Sequence, residues 1–385
     1  MGDERMHSPE NAPRDFHLPQ VQAAQAINQK AADLTAAGAF GQPTTEVTAT
    51  PDGIGYFRHY DHGGSIYWTF ETGAHELHGA IRQKWADLGW ERGLGYPTID
   101  ETKTPDGEGR FVHFTQGSIY SSPNTGAHEV HGAIRDKWAS LGWESGDLGF
   151  LTSDESANPD PESEGRYNTF QRGFISWNPA TGASEHRTGA RYHFAVDQLV
   201  CYEPRSGSIL GAGNDTVVVT VRVTIDGQDR SPVSKNIGEV GGGFQPVGVV
   251  TSFTADDPGA PLVMSFQMVN SKDGETAATI QAAEAGFDAL KGAGVGAVVG
   301  SVGGVPGALL GAAAGAVAGA IKGMLFNNCD GLLAADTAHL SGASLNDHTA
   351  ASRHVEDKRY PGVDSPGGCG ANSDYGAHWG IKQDR

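Results

Sequence analysis

The chain contains 385 residues, of which 46 are acidic and 27 are basic, so its formal net charge is -19. A surface with this charge repels the phosphate backbone of nucleic acids, and the sequence has no basic cluster to compensate, so a nucleic-acid partner is excluded. The hydrophobic share of 38% is enough for a buried core, and the length suits two or three domains.

The N-terminal residues 1–14 are expected to be disordered. They do not combine a basic start with an apolar stretch, so no secretory signal is visible. The chain is then either cytoplasmic or exported by a non-classical route, or it is a mature chain from which a leader has been removed.

A repeat dominates the first half of the chain. The segment GSIYWTFETGAHELHGAIRQKWADLGW begins at Gly64, and its copy GSIYSSPNTGAHEVHGAIRDKWASLGW begins at Gly117. A third copy starts at Gly173 and stops after Arg187, so it lacks the helical half, and a degenerate copy precedes the first. Residues 18 to about 188 therefore form roughly three periods, which we assign to a repeat domain at 15–190.

Each period is predicted to form a β-hairpin followed by a short helix. Apolar and polar residues alternate on both sides of a glycine turn, which is typical of a hairpin. The apolar residues that follow recur at helical spacing, namely Val130, Ile134, Trp138 and Leu141. Trp138 and its counterpart Trp85 lie on this apolar stripe and are expected to be core residues. Because one hairpin and one helix cannot bury an apolar face alone, neighbouring periods must pack on one another, in a ring or a short array.

These residues resemble the LGFP repeat over positions 36 to about 188. The resemblance rests on the TGAHEVHGAI run, the KWASLGW helix and the LGYP block that begins at Leu94. It implies an extracellular or cell-envelope protein of the kind found mainly in actinobacteria. The implied partner is cell-wall polysaccharide, either arabinogalactan or peptidoglycan. The C-terminal half shows no such resemblance.

Aromatic residues in the hairpins are candidates for glycan binding. Successive residues of a strand face opposite sides, so one member of the Tyr67–Trp68 pair is expected to be exposed. An exposed ring beside polar groups can stack on a sugar. The alternative is that the rings seal the hairpin onto the helix. The aromatic candidates are Tyr67, Trp68, Tyr120 and Trp177.

Histidines recur with the same period, and His75 and His128 are added to the glycan-binding candidates. The spacing is HExH and not HExxH, so the two imidazoles of each copy do not lie one helical turn apart as in a zinc protease. No metal is therefore expected. Two other roles stay open for these histidines: hydrogen bonding at the start of the helix, and a polar surface that faces a ligand.

The second half, residues 191–385, is predicted to be an antiparallel β-sandwich, which makes the whole chain mixed α/β (α+β). Long alternating strands at 215–227 and 261–274 end in turn residues, and GLLAADTAHLSGASL and ANSDYGAHWGIKQ suggest further strands. Cys329 and Cys369 form a disulfide in an oxidising compartment, or they are buried thiols.

An uncharged segment from Gly292 to Ile321 is predicted to form a helical hairpin inserted in the sandwich, within a helical region at about 275–325. Its glycines recur every four residues, as in helices that pack closely: Gly292, Gly296, Gly300, Gly304, Gly307, Gly311, Gly315 and Gly319. Two interpretations stay open. Either this glycine-zipper hairpin is buried against the sandwich or a partner copy, or it enters a membrane as in colicin-like toxins.

No nucleophile–base pair, paired-carboxylate motif or phosphate loop stands out, so the chain is predicted to be non-catalytic and to need no cofactor. The leading hypothesis is a toxin-like or effector-like envelope protein. Its repeats bind wall polysaccharide, and its C-terminal domain acts on membrane lipid or docks to a partner. The first alternative is a structural protein that self-associates through both halves. The second is a hydrolase with its active site in the C-terminal half.

Overall fold

The computed structural model describes residues 18–36, 41–160, 163–204, 215–270, 281, 284–288, 331–349, 354–361 and 373–384. They divide into two compact units, one up to Glu155 and one from Ser156. The sequence repeat ends near residue 190, whereas the units divide at residue 155, so the third hairpin belongs to the same unit as the C-terminal strands. Antiparallel sheets with few helices confirm the expected mixed α/β class.

The first unit contains four helices, a short 3₁₀ turn and two four-stranded antiparallel sheets within its described residues. Helix α1 (Leu18–Ala36) precedes the first sheet, formed in order by β1 (Thr48–Ala49), β2 (Tyr56–His59), β3 (Ser65–Thr69) and β4 (Gly73–Leu77). Helices α2 (Gly79–Asp87) and α3 (Glu91–Leu94) follow. The second sheet has β5 (Thr102–Lys103), β6 (Arg110–His113), β7 (Gly117–Ser122) and β8 (Gly126–His131), followed by α4 (Gly132–Ser140) and the 3₁₀ turn Trp143–Ser145.

Helix α2 packs between two successive hairpins. Its Trp85 is fully buried, because the Tyr67 ring of its own hairpin lies 4.6 Å away and the Phe114 ring of the next lies 5.3 Å away, between centroids. Ile81 from the same helix and Ile119 from the second hairpin belong to the same buried cluster. The helix therefore supplies the apolar surface that a lone hairpin lacks.

Charged side chains tie consecutive periods together with the same geometry twice. The Lys30 ammonium of α1 binds the Asp100 carboxylate at 2.7 Å, and one period later Lys84 of α2 binds Asp154 at 2.8 Å. Each carboxylate also accepts the backbone N–H of a strand residue, at 3.2 Å in both cases. In each tie a helix is thus joined through a carboxylate to the hairpin that follows it.

The second unit begins with the third hairpin. Its sheet contains β9 (Ser156–Ala157), β10 (Arg166–Phe170), β11 (Gly173–Asn178) and β12 (Gly182–Arg187). No helix follows directly, since β13 starts at Arg191. The sequence pattern had indicated this missing helical half.

Two larger antiparallel sheets complete the second unit. One has the order β17 (Gly243–Thr254), β13 (Arg191–Glu203), β21 (Asp374–Gln383) and β20 (His354–Pro361). The other has the order β15 (Gln228–Asp229), β14 (Asp215–Ile225), β18 (Pro261–Asn270) and β19 (Gly331–Ser341), with β16 (Val233–Val240) also paired to β14. Phe194 and Trp379 of the first sheet and Phe266 of the second belong to one buried cluster.

A short helix, α5 (Gly342–Thr349), packs on β11 and β12 of the third hairpin. Ser344 of this helix accepts a hydrogen bond from the Asn158 amide at 3.0 Å, and Ser341 donates one to the Asn158 carbonyl oxygen at 2.7 Å. The strand predicted over GLLAADTAHLSGASL is therefore wrong beyond Ser341, because the Ser341 hydroxyl accepts the backbone N–H of Ser344 and begins a helix there.

The helical hairpin with its eight glycines and the two cysteines Cys329 and Cys369 lie outside the described residues. Across the described part of the chain, no helix combines the length and the apolar character needed to cross a membrane.

Candidate functional site: an aromatic cleft and its counterpart residues

The hairpin aromatics predicted to contact glycan are mostly buried. Tyr67 is 3% exposed, Trp68 7% and Tyr120 3%, so the expectation that one ring of the Tyr67–Trp68 pair is exposed is wrong. The reason is that helices cover both faces of the hairpin. Trp68 belongs to a cluster with Ile27 of α1, whereas Tyr67 contacts Trp85 of α2. Trp177 of the third hairpin is half-buried.

The recurring histidines make hydrogen bonds within the repeats. The His75 imidazole bonds to the Asp100 carboxylate at 3.2 Å and to the Thr72 carbonyl at 2.8 Å. His128 does the same with Asp154, at 3.3 Å, and with Thr125, at 2.8 Å. Both histidines thus orient the carboxylates that join consecutive periods. Among the described residues, no cluster of three or more side chains could hold a metal ion.

The second histidine of each copy lies between buried carboxylates. His78 Nδ1 is 3.1 Å from Glu76 Oε2, and its Nε2 is 3.4 Å from Glu101 Oε1. The hydrogen bond with Glu76 raises the pKa of His78. His131 repeats the arrangement between Glu129 and Glu155, at 2.9 and 3.3 Å. These groups stabilise the junction between periods.

The structure brings together a different aromatic site, which we call the aromatic cleft. It has a volume of about 270 Å³ and is lined by Phe57, His59, Trp90, Glu91 and Arg92, among others. Trp90 is half-buried, so part of its ring is accessible. Sequence reasoning missed this site. A signal was present, because Trp90 and Glu91 recur as Trp143 and Glu144, but nothing in the sequence places them beside Phe57 and His59.

The backbone of Trp90 has a left-handed φ of 59° with a ψ of -134°, which is unusual for a residue with a side chain. Such strain costs of order 1–3 kcal/mol and persists only where the surroundings over-determine it. Here the Arg82 guanidinium lies 5.2 Å from the Trp90 ring centroid, the Tyr67 ring stacks at 6.1 Å and Trp85 meets it edge-on at 5.4 Å.

The second repeat has the same constellation. Trp143 has a φ of 57°, the Arg135 guanidinium lies 5.2 Å from its ring centroid, and the Tyr120 ring stacks at 5.8 Å. Phe111 stacks on Tyr120 at 5.0 Å, as Phe57 stacks on Tyr67 at 5.3 Å. The strained tryptophan and the groups packed around it therefore recur together in both complete repeats.

The imidazole in the cleft is neutral at physiological pH. Burial, together with the nearby charge of Arg82, lowers the pKa of His59 to about 4. The same two causes, with Arg135 as the cation, lower the pKa of His113 to about 4. Beside the second site, burial raises the pKa of the Glu144 carboxyl. Both copies therefore combine a neutral imidazole, a carboxyl group and an aromatic wall.

The third repeat does not carry this set. In the strand register Thr169 pairs with Phe174. The equivalent pairs are His59 with Ser65 in the first repeat and His113 with Ser118 in the second, so Thr169 replaces the histidine. Ser176 replaces the stacking tyrosine. The strained tryptophan has no counterpart, because the helical half that would carry it is missing.

No curated protein matches the chain. A family model described as LGFP repeat matches residues 40–93, 94–146 and 148–194. Repeats of this family point to association with the cell envelope. The chain therefore carries three LGFP repeats, which together span residues 40–194.

Proposed function

We propose that the chain is a non-catalytic protein of the cell envelope and that its LGFP repeats bind wall polysaccharide through the aromatic cleft. The observation that carries the proposal is the half-buried, strained tryptophan in both complete repeats, Trp90 and Trp143. Backbone strain of this kind clusters at ligand-binding sites, which supports a functional role for the position of the ring. An accessible indole beside polar groups can stack on the apolar face of a sugar while those groups bind its hydroxyls.

For the C-terminal unit, we propose that its two sheets form an antiparallel sandwich. The supporting observation is the single buried cluster to which both sheets contribute, including Phe194, Trp379 and Phe266. In this proposal the C-terminal unit acts on a membrane or docks to a protein partner, while the repeats hold the chain at the wall.

The test of the main proposal is co-sedimentation of the full chain with insoluble cell walls. We expect the protein to pellet with walls and to be released by soluble arabinogalactan or peptidoglycan fragments. Trp90→Ala combined with Trp143→Ala should weaken pelleting, whereas Trp177→Ala, in the repeat without a cleft, should not. If the wild-type chain stays in the supernatant with every wall preparation, the proposal is wrong.

A further inference from the structure

We infer that each of the first two repeats binds one unit of a neutral polysaccharide, whose neighbouring hydroxyls are bound by a histidine N–H donor and a glutamate carboxylate. This inference rests on the proposed function and specifies its ligand. The two subsites are built from His59, Glu91 and Trp90 in the first repeat, and from His113, Glu144 and Trp143 in the second.

The proton of the neutral His59 ring is located by its neighbours. Its Nδ1 lies 2.7 Å from the Ser65 hydroxyl and 3.4 Å from Nη2 of Arg82. A guanidinium can only donate, so Nδ1 must accept and the proton resides on Nε2. The Arg82 Nε also donates to the Ser65 oxygen at 2.5 Å, which leaves the hydroxyl hydrogen free to point at Nδ1.

His59 Nε2–H is consequently a fixed donor on a residue that lines the cleft, and it has no hydrogen-bond partner among the described residues. The second repeat has the same serine and arginine beside its histidine. His113 Nδ1 lies 2.8 Å from the Ser118 hydroxyl, which accepts a hydrogen bond from Arg135 Nε at 2.7 Å. Both copies thus hold the imidazole in one orientation from behind and leave the opposite nitrogen for a ligand.

The acceptor of the site is Glu91. This residue is 8% exposed and lines the cleft, and within the described parts of the chain no side chain or backbone N–H donates to its carboxylate. A carboxylate that is mostly buried and has no protein donor gains from donors that a ligand brings. Glu144, its counterpart, is 6% exposed and accepts one bond of 3.3 Å from the adjacent Ser145.

The charge of the two subsites favours a neutral ligand. Arg82 and Arg135 are held by a serine and by the tryptophan ring. Arg92 lines the first cleft, but Ser145 takes its place in the second repeat, so the shared set contains no further cation. With a net charge of -19, the chain also repels polyanions. A neutral sugar offers what the site lacks: a hydroxyl oxygen for His59 Nε2–H, a hydroxyl hydrogen for Glu91, and an apolar ring face for Trp90.

Two subsites one repeat apart allow one polymer chain to engage both. The second contact then becomes intramolecular, so the affinity of the pair exceeds that of either subsite alone. The loss of one subsite should therefore weaken binding to a polymer more than binding to a short fragment. This difference in affinity distinguishes binding at both subsites from binding at the first subsite alone, with the second repeat serving only a structural role.

The experiment uses the full chain and two probes, purified arabinogalactan as the neutral polymer and peptidoglycan freed of attached glycan as the charged one. We expect Glu91→Gln and Glu144→Gln each to weaken arabinogalactan binding about tenfold, in line with the strength of a hydrogen bond to a charged group. The double variant should lose binding. Glu108→Gln is the matched control, because Glu108 is exposed on a turn and does not line the cleft.

His59→Phe is the second variant, since it keeps an aromatic ring but removes the donor, and its melting temperature is compared with that of the wild-type chain. Equal binding of arabinogalactan by the wild type and the folded double glutamine variant refutes the inference. Tighter binding of the charged probe than of arabinogalactan also refutes it. In both cases the proposed function stands if the wild-type chain still sediments with walls, so the two failures are distinguishable.

Discussion

The tie between Lys84 and Asp154 offers a direct measurement of how strongly consecutive repeats are joined. Lys84→Met removes the ammonium group and keeps most of the apolar stem. The ammonium lies 2.8 Å from the carboxylate, and the two side chains are 20% and 37% exposed. At this separation Coulomb's law gives about 1.5 kcal/mol with the dielectric constant of water and about 6 kcal/mol with an effective value of 20, before desolvation is subtracted.

Ion-pair energies measured in other proteins narrow this range of interaction energies. Exposed pairs contribute roughly 0.2–1 kcal/mol, and removal of one partner from a buried pair costs roughly 3–5 kcal/mol. For a half-buried pair we expect Lys84→Met to lower the free energy of unfolding by about 1–2 kcal/mol. Asp154→Asn should cost more, because Asp154 also binds His128 and the backbone N–H of Glu129, at 3.3 and 3.2 Å.

The assay is a double-mutant cycle by urea unfolding of the full chain, with Lys84→Met, Asp154→Asn and the double variant. We expect a coupling energy of about 1 kcal/mol that decreases as salt is added. The Lys30–Asp100 pair, with its 2.7 Å contact, is the matched repetition and should give a similar value. Additivity of the two single changes within about 0.3 kcal/mol, at both pairs, would show that the ion pair does not join the repeats.

Three further changes follow from the same packing. The pKa of His59 and of His113 is about 4 in the folded chain and 6.5 in the unfolded chain, so the unfolded chain binds protons at a higher pH. The free energy of unfolding should therefore fall as the pH is lowered from about 6.5 to 4. Replacement of both histidines by Gln should flatten this dependence in urea titrations at successive pH values. Gly109→Ala would place a methyl carbon 2.5 Å from the Phe150 ring and should lower the free energy of urea unfolding by about 1–3 kcal/mol. Ser344→Ala removes a buried hydroxyl bonded to the third hairpin and should accelerate amide exchange in that hairpin, whereas unchanged protection would contradict the role assigned to α5.

Spacing along the chain predicted the hairpins, the presence of the short helices and the core positions of Trp85 and Trp138. It was wrong for Val130, which the helical spacing assigned to the helix, because Val130 lies in β8 and α4 begins at Gly132. Both tryptophans are fully buried, as the helical stripe required. These features depend on neighbours within one period, and a local pattern records them. The burial of Tyr67 could not be predicted in the same way. Alternation of side chains separates the two faces of a strand, but it does not show that each face packs against a helix.

The aromatic cleft is a different case. It combines Phe57 and His59 from β2 with Trp90 and Glu91, which lie at the start of α3 after helix α2, so it exists only after these helices have packed against the hairpin. The left-handed backbone at Trp90 adds to the difficulty. A positive φ is usually recognised from glycine or asparagine, and a tryptophan gives no such signal. The recurrence of Trp-Glu in both repeats was visible in the sequence, but only the backbone strain and the cleft show that these residues belong to a site.

Helix α5 also has a consequence for the length of the repeat array. An array of stacked units normally ends in a terminal element that covers the last apolar face. Here that element comes from residues 342–349, at the end of a strand from another sheet, and it occupies the hairpin that a further unit would have to cover. A fourth repeat inserted after the third would have to displace α5 from the fold. The third hairpin is thus covered by a segment more than a hundred residues downstream, and a repeat added directly after it would compete with α5 for the same strands.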